Sequence, residues 1–267
     1  MEKFIKTNEY GRQEFTLVVK VSTASRQNLR VILADTEYEN TQYTNRNIIV
    51  NGLATFYIQV PLCNENAKLI IYNEATGNIP SLSDSTFRVV ECFKMPLEKR
   101  FDLIDYTENG LASYLDFCKR FCLTAGWIPA GTYRSDDYLY NIQYLPDIIS
   151  SDYPYLPLNT SSRISKDDGV IQVSQKQFES MTVPQRMIIL LHEYSHFFVN
   201  DNINDETEAD LNGLTIYLGL GYPRIDAQNI FTDSFFGAPS MENKHRMEVI
   251  QDFIKHFDES QIIIIND

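Results

Sequence analysis

Residues 190–200 read LLHEYSHFFVN. His192 and His196 stand four apart, with Glu193 directly after the first. On a helix, residues i and i+4 lie on one face a turn apart, so both imidazoles can reach a single ion. Glu193 lies about 100° round the helix from His192. That puts it beside the ion rather than on it, where a base acting on water is needed. Random placement of the chain's four His and 17 Glu gives this pattern about 0.004 times.

The flanking sequence places the pattern in a buried helix. Thr182 with Gln185 three residues later is a capping box that opens it. Met187 to Leu191 is a solid apolar run, continued by Tyr194, Phe197 and Phe198. A helix apolar on most sides is buried, and polar groups buried with it need partners. A catalytic zinc ion takes three protein ligands and leaves one position open, so a third ligand is expected. The stretch NDETEAD, residues 204–210, opens another helical pattern that runs to Gly219. The connection 199–204 is short, which predicts an antiparallel helix hairpin. Facing residues in such a hairpin share an index sum. His196 with Glu206 and His192 with Asp210 both give 402. Glu206 therefore completes the site, and Asp210 reaches the far nitrogen of His192 as an outer carboxylate. Glu208 is the alternative ligand, but it has another task, because Asp205 as N-cap with Glu208 at N3 forms a second capping box. A calcium loop over 201–205 would lack the turn glycine it needs.

Outward from this stretch, the 267 residues suffice for two domains. Residues 1–95 hold short β-rich runs separated by Asn, Gly, Thr and Ser clusters, including 15–21, 29–33, 46–50, 54–60, 68–72 and 86–90. Their spacing predicts a β-sandwich serving binding or assembly. Residues 96–104 read as a linker and 105–267 as an α+β domain. Within it the pattern predicts a helix over 108–124. Irregular chain over 127–160 follows, with one short strand near 138–142. A hairpin of 163–164 with 169–174 comes next, and a final amphipathic helix spans 241–257. Four isoleucines at 262–265 predict a strand that pairs with a sheet edge of this chain or of a neighbouring copy.

The net charge of −13 argues against a nucleic-acid partner. No 18-residue apolar run predicts a membrane span, and the N-terminal residues lack the apolar core of a secretory signal, which predicts a cytoplasmic protein. Cys63, Cys92, Cys118 and Cys122 form no CxxC pair and read as reduced core thiols.

The sequence resembles the zincin metallopeptidases: HEYSH matches their HExxH helix, and ETEAD at 206–210 resembles the glutamate-first ExxxD helix of the gluzincin branch. The resemblance covers about residues 105–257. It implies one Zn2+ per chain on His192, His196 and Glu206, Glu193 as the catalytic base, and Asp210 orienting His192. It also implies a peptide or protein substrate lying along the strand 169–174 as a sheet edge. Gluzincins commonly supply a Tyr or His to the oxyanion, and Tyr222, Tyr217 and His245 are the candidates here. His245 and His256, on the final helix, also read as solvated helix histidines. A fainter resemblance, carried by EADLNGLTIYLGLGYPR at 208–224 with ILLHEYSHFFVN, is to metallopeptidase-like proteins of crAss-like phages. It implies incorporation in a virion among other virion proteins, as a tail-ring or assembly component. Zinc would then serve stability or a maturation cut.

Overall fold

The computed structural model describes residues 14–38, 40–75, 86–100, 105 and 110–257, with the backbone alone of 4–9. The isoleucine run at 262–265 lies outside the described residues. The chain is mixed α+β and divides into two compact units. The first comprises Met1–Glu98, Lys119–Ile128 and Phe178–Val183; the second comprises Lys99–Cys118, Pro129–Gln177 and Pro184–Asp267.

Among the described residues, seven strands build the first unit: β1 (Phe4–Glu9), β2 (Phe15–Thr23), β3 (Gln27–Asp35), β4 (Gln42–Val50), β5 (Leu53–Val60), β6 (Asn66–Asn73) and β7 (Phe87–Met95). They form two antiparallel sheets, ordered β1-β6-β3-β4 and β5-β2-β7. Period-two alternation sets which face is buried. Ala67, Leu69 and Ile71 of β6, Leu29, Val31 and Leu33 of β3, and Val19 and Val21 of β2 have no exposed surface. Each large one contributes about 1.5–3 kcal/mol by leaving water. Strand β1 was not legible in the sequence, where only Phe4 and Ile5 break a polar run. Segment 119–128 joins this unit through Thr41, whose hydroxyl donates to Leu123 O (3.1 Å), and Asn40, whose amide donates to Gly126 O (3.2 Å).

The second unit holds a four-stranded mixed sheet ordered β10-β11-β9-β8, from β8 (Gly131–Arg134), β9 (Asn141–Leu145), β10 (Ser162–Ile164) and β11 (Ile171–Ser174). Strands β9 and β11 run parallel; the outer pairings are antiparallel. The irregular stretch expected over 127–160 therefore contains β8 and β9, with Tyr138 between them at φ 62°. Helix α1 is Leu111–Thr124, and the short α2 (Gln175–Phe178) leads to α3 (Val183–Phe198). Then come α4 (Glu206–Gly219), α5 (Arg224–Gly237) and α6 (Met241–His256). Within this unit α3 is apolar all round, as its sequence demands: Met187, Ile188, Leu190, Leu191 and Tyr194 are fully buried. Tyr114 of α1 stacks on Tyr194 (4.2 Å between ring centres), and its hydroxyl donates to Leu190 O (2.6 Å). Helix α6 packs on α4 and α5. No helix among the described residues is long and apolar enough to cross a membrane.

Candidate metal centre

The centre sits on the α3–α4 hairpin. His192 and His196, one turn apart on α3, bring their Nε2 atoms to 3.2 Å with the rings nearly perpendicular, at 87°. Nδ1 of His196 lies 3.0 Å from Ile203 O in the connection. Only an N–H can bond a carbonyl there, which leaves the Nε2 lone pair of His196 facing the centre. Asp205 caps α4 by accepting from Glu208 N (2.9 Å), so the helix begins at Glu206. The Glu206 carboxylate then reaches both rings, with Oε2 3.5 Å from His192 Nε2 and Oε1 3.5 Å from His196 Nε2. One donor atom from each of the three residues lies within 4.8 Å of the others. Two imidazoles and one carboxylate match the donor preference of zinc, whereas calcium and magnesium select oxygen ligands.

Gly213 sets the distance between the helices. A Cβ there would stand 2.9 Å from His192 N and 3.0 Å from His192 Cα and Leu191 C, all backbone atoms. Only a residue without a side chain lets α4 approach α3 this closely. That approach holds Glu206 and Asp210 over the histidines.

Asp210 is completely buried, with Oδ1 2.9 Å from His192 Nδ1. The approach is too oblique for a well-aligned hydrogen bond and acts as an ion pair. The other side of Asp210 is gripped by Arg246 of α6, which donates from Nε to Oδ2 (2.7 Å) and from a terminal nitrogen to Oδ1 (3.0 Å). The same guanidinium lies 3.2 Å from Glu206 Oε2 and 4.8 Å from the centre of the Phe235 ring. These charges set the protonation of the centre. Burial opposes a charge on His192, but the Asp210 and Glu206 carboxylates outweigh it and push its pKa up to about 10. The two histidines hold the Glu206 carboxyl well below the usual carboxylate range, against the effect of burial. Burial works against the Arg246 charge too, and Asp210 more than restores it. Without a metal, His192 therefore carries a proton that a cation would replace.

Glu193 faces a cavity of about 200 Å³, open to solvent, whose lining includes His192, Asp210 and Arg246. Its Oε1 accepts from the Ser162 hydroxyl at 2.7 Å. The far wall is apolar, formed by Ile188 and Ile189 of α3 with Ile230, Phe231 and Phe235 of α5.

Glu208 stands apart from the centre: its carboxylate accepts from Asp201 N (2.9 Å) and Asn202 N (3.3 Å) in the connection. None of the three oxyanion candidates lines the cavity. Tyr217 is buried with its hydroxyl donating to Pro223 O (3.1 Å), Tyr222 stacks on Tyr217, and His245 is exposed. The substrate edge needs correcting. Strand β11 is bonded on both sides, by β10 and β9, so it is interior; the edge beside Glu193 is β10.

The sequence reading missed Arg246, Ser162 and the wall from α5. Arg246 follows Asp210 by 36 residues with no motif between them; the available signal was that a buried carboxylate requires a cation. For α5 the signal was present, since Ala227, Ile230, Phe231 and Phe235 recur at helical spacing.

No protein-family model, no curated protein and no solved structure matches the chain.

Proposed function

We propose that the chain is a zinc-dependent peptidase of zincin type, with the two antiparallel sheets of its first unit forming the layers of a sandwich. The observation that carries this reading is the convergence of His192 Nε2, His196 Nε2 and the Glu206 carboxylate, with His192 also lining an open cavity beside Glu193. Three protein donors are the number that leaves a coordination position free in catalytic zinc sites. Bound there, zinc would supply Lewis acidity toward a peptide carbonyl and lower the pKa of an attacking water. Glu193 takes that water's proton on its carboxylate and delivers it to the leaving nitrogen. Ser162 holds one Glu193 oxygen, which fixes the plane of the carboxylate and leaves the other oxygen for the proton. Asp210 and Arg246 hold His192 and Glu206 in place.

The test pairs metal analysis with cleavage of a peptide library by wild type and Glu193→Gln. One zinc per chain in both proteins, with cleavage only in wild type, is the expected result. Zinc without cleavage in either protein would end the peptidase reading.

A second reading, an assembly component such as a virion ring protein built on the same fold, is favoured by one observation. Tyr57 of β5 and Phe93 of β7 flank Val18 on one face of their sheet and are 54% and 51% exposed. Exposed apolar patches mark interaction surfaces. A closed ring of many copies by mass photometry would support this reading, and a monomer at micromolar concentration would remove it.

A further inference from the structure

The second unit also holds three large apolar side chains in solvent on one loop, at Tyr153, Tyr155 and Leu156. Residues 148–158 read IISSDYPYLPL and form a narrow loop whose two limbs are bonded to each other. Leu158 N donates to Ile148 O (2.7 Å), Ser150 N to Leu156 O (2.9 Å), and Tyr155 N to Asp152 O (2.7 Å). Ile149 and Pro157 form an antiparallel bridge between the limbs. Ile148 is fully buried and anchors the base. Everything beyond the base projects into water: Tyr153 is 86% exposed, and Tyr155 and Leu156 are each 60% exposed. The two tyrosine rings meet edge to face at 6.0 Å. Tyr155 adopts φ 57°, in the left-handed region that costs a bulky side chain energy.

A loop that holds three large apolar side chains in water, one of them on a strained backbone, gains nothing for the fold by doing so. Aromatic side chains presented rigidly are what binding surfaces use, because little entropy is lost when they are covered. The loop's connection to the cavity says what covers them. Its returning limb runs from Leu158 through Thr160 and Ser161 into Ser162, and these last three residues line the cavity beside Glu193. Arg163, the next residue of edge strand β10, donates to Ile149 O at the loop base (3.1 Å) and to Gln172 on β11 (2.7 Å). The loop is thus fixed to the strand that borders the candidate catalytic carboxylate. Tyr153, Tyr155 and Leu156 stand on that same loop, beyond the base that Arg163 holds.

We propose that the Tyr153–Tyr155–Leu156 tip is an exosite that grips an apolar stretch of an unfolded or extended protein substrate, away from the bond being cut. The proposal rests on the peptidase reading. The tip lies at most about 25 Å from Ser162, the contour of seven residues; a hexapeptide reaches only about 10 Å either side of the cut bond, whereas a full-length chain can span the whole interval.

The test compares wild type with the triple variant Tyr153→Ser, Tyr155→Gly, Leu156→Ser; glycine accepts the backbone conformation of residue 155. Two substrates are used: reduced, carboxymethylated lysozyme, and a hexapeptide spanning its most rapidly cut bond. KM for the protein should rise roughly tenfold or more, with kcat/KM for the hexapeptide within about twofold of wild type. An unchanged KM for the protein, or an equal loss on both substrates, overturns the exosite. Should wild type cut neither substrate, the peptidase reading fails separately, and the exosite is then read by binding. Fluorescein-labelled carboxymethylated lysozyme is titrated with Glu193→Gln and with the same protein carrying the tip changes. Loss of binding in the latter supports a polypeptide site. Equal binding overturns it, as does tip-dependent binding to phosphatidylcholine–phosphatidylglycerol vesicles without any effect on the labelled protein.

Discussion

Adding one methyl group at Gly213 is expected to loosen the candidate metal centre without changing any side chain that would hold the ion. A Cβ at this position stands 2.9–3.0 Å from three backbone atoms of Leu191 and His192. Carbon contacts settle at about 3.5–4.0 Å, so α4 must retreat from α3 by roughly 0.5–1 Å. Overpacking of this kind costs about 1–3 kcal/mol. Replacing a helical glycine by alanine returns about 1 kcal/mol. The net loss of stability is therefore small, at most about 2 kcal/mol by those two figures. The loss of metal affinity should be larger in effect, because ligand distances tolerate only about 0.2 Å. The retreat carries Glu206 and Asp210 away from both histidines together. Zinc affinity should fall about 10- to 100-fold, the range seen when the shell around a metal is disturbed. The assay is zinc competition against a chromophoric chelator, with urea unfolding of the metal-free proteins run alongside. Gly237→Ala is the control, because a Cβ there meets nothing within 4 Å; it should leave zinc binding unchanged. Wild-type zinc affinity in Gly213→Ala would refute the reasoning, since the helices would then not be held at the distance that Gly213 permits.

Four further outcomes follow from the same geometry. Glu206→Ala should abolish stoichiometric zinc in metal analysis. Glu208→Ala should keep the zinc and cost about 0.5–1.5 kcal/mol in urea unfolding for each of the two bonds its carboxylate accepts from Asp201 N and Asn202 N; the reverse pattern would mean the α4 register is misread. Arg246→Met strips a buried carboxylate of one cation and should destabilise by about 3 kcal/mol, the low end for a broken buried pair, because His192 still faces Asp210. Adding Asp210→Asn to that variant should recover part of the loss, and a fully additive double variant would refute the pairing. His192, with its pKa raised to about 10, should release close to one proton when zinc binds at pH 7.5. Calorimetry in buffers of different ionisation enthalpy measures this directly. The same shift fixes a sign for the metal-free protein. The His192 contribution is complete below about pH 6.5 and is lost as pH rises toward about 10, so alkaline unfolding should be steeper without zinc than with it.

Local spacing carried much of the candidate centre. His192 and His196 share a face because the helical period puts i and i+4 there, whatever surrounds them. A short connection makes antiparallel neighbours, so the common index sum brings Glu206 and Asp210 opposite the histidines. The Asp205 cap was equally local, but only half of the expected box forms: Asp205 accepts from Glu208 N, while Asp205 N donates to Asn202 O and the Glu208 carboxylate accepts from Asp201 N and Asn202 N instead. Strand runs of the first unit were legible for the same reason, since a period of two survives in any sheet. Their pairing into orders β1-β6-β3-β4 and β5-β2-β7 was not.

What lay beyond the sequence concerns contacts between segments far apart along the chain. Arg246 reaches Asp210 only because α6 packs on α4, and nothing in residues 211–245 encodes that meeting. Ser162 meets Glu193 across 31 residues. Strand β11 looked like an edge because its own residues cannot report that β9 pairs with its other side. The sequence alone determined which side chains share a helix face or a strand face, because those periods are properties of the backbone. Only the tertiary structure decided which faces meet, which strand is left at the edge, and which cation neutralises the buried carboxylate. Those depend on packing whose energy is shared among residues that no local pattern links.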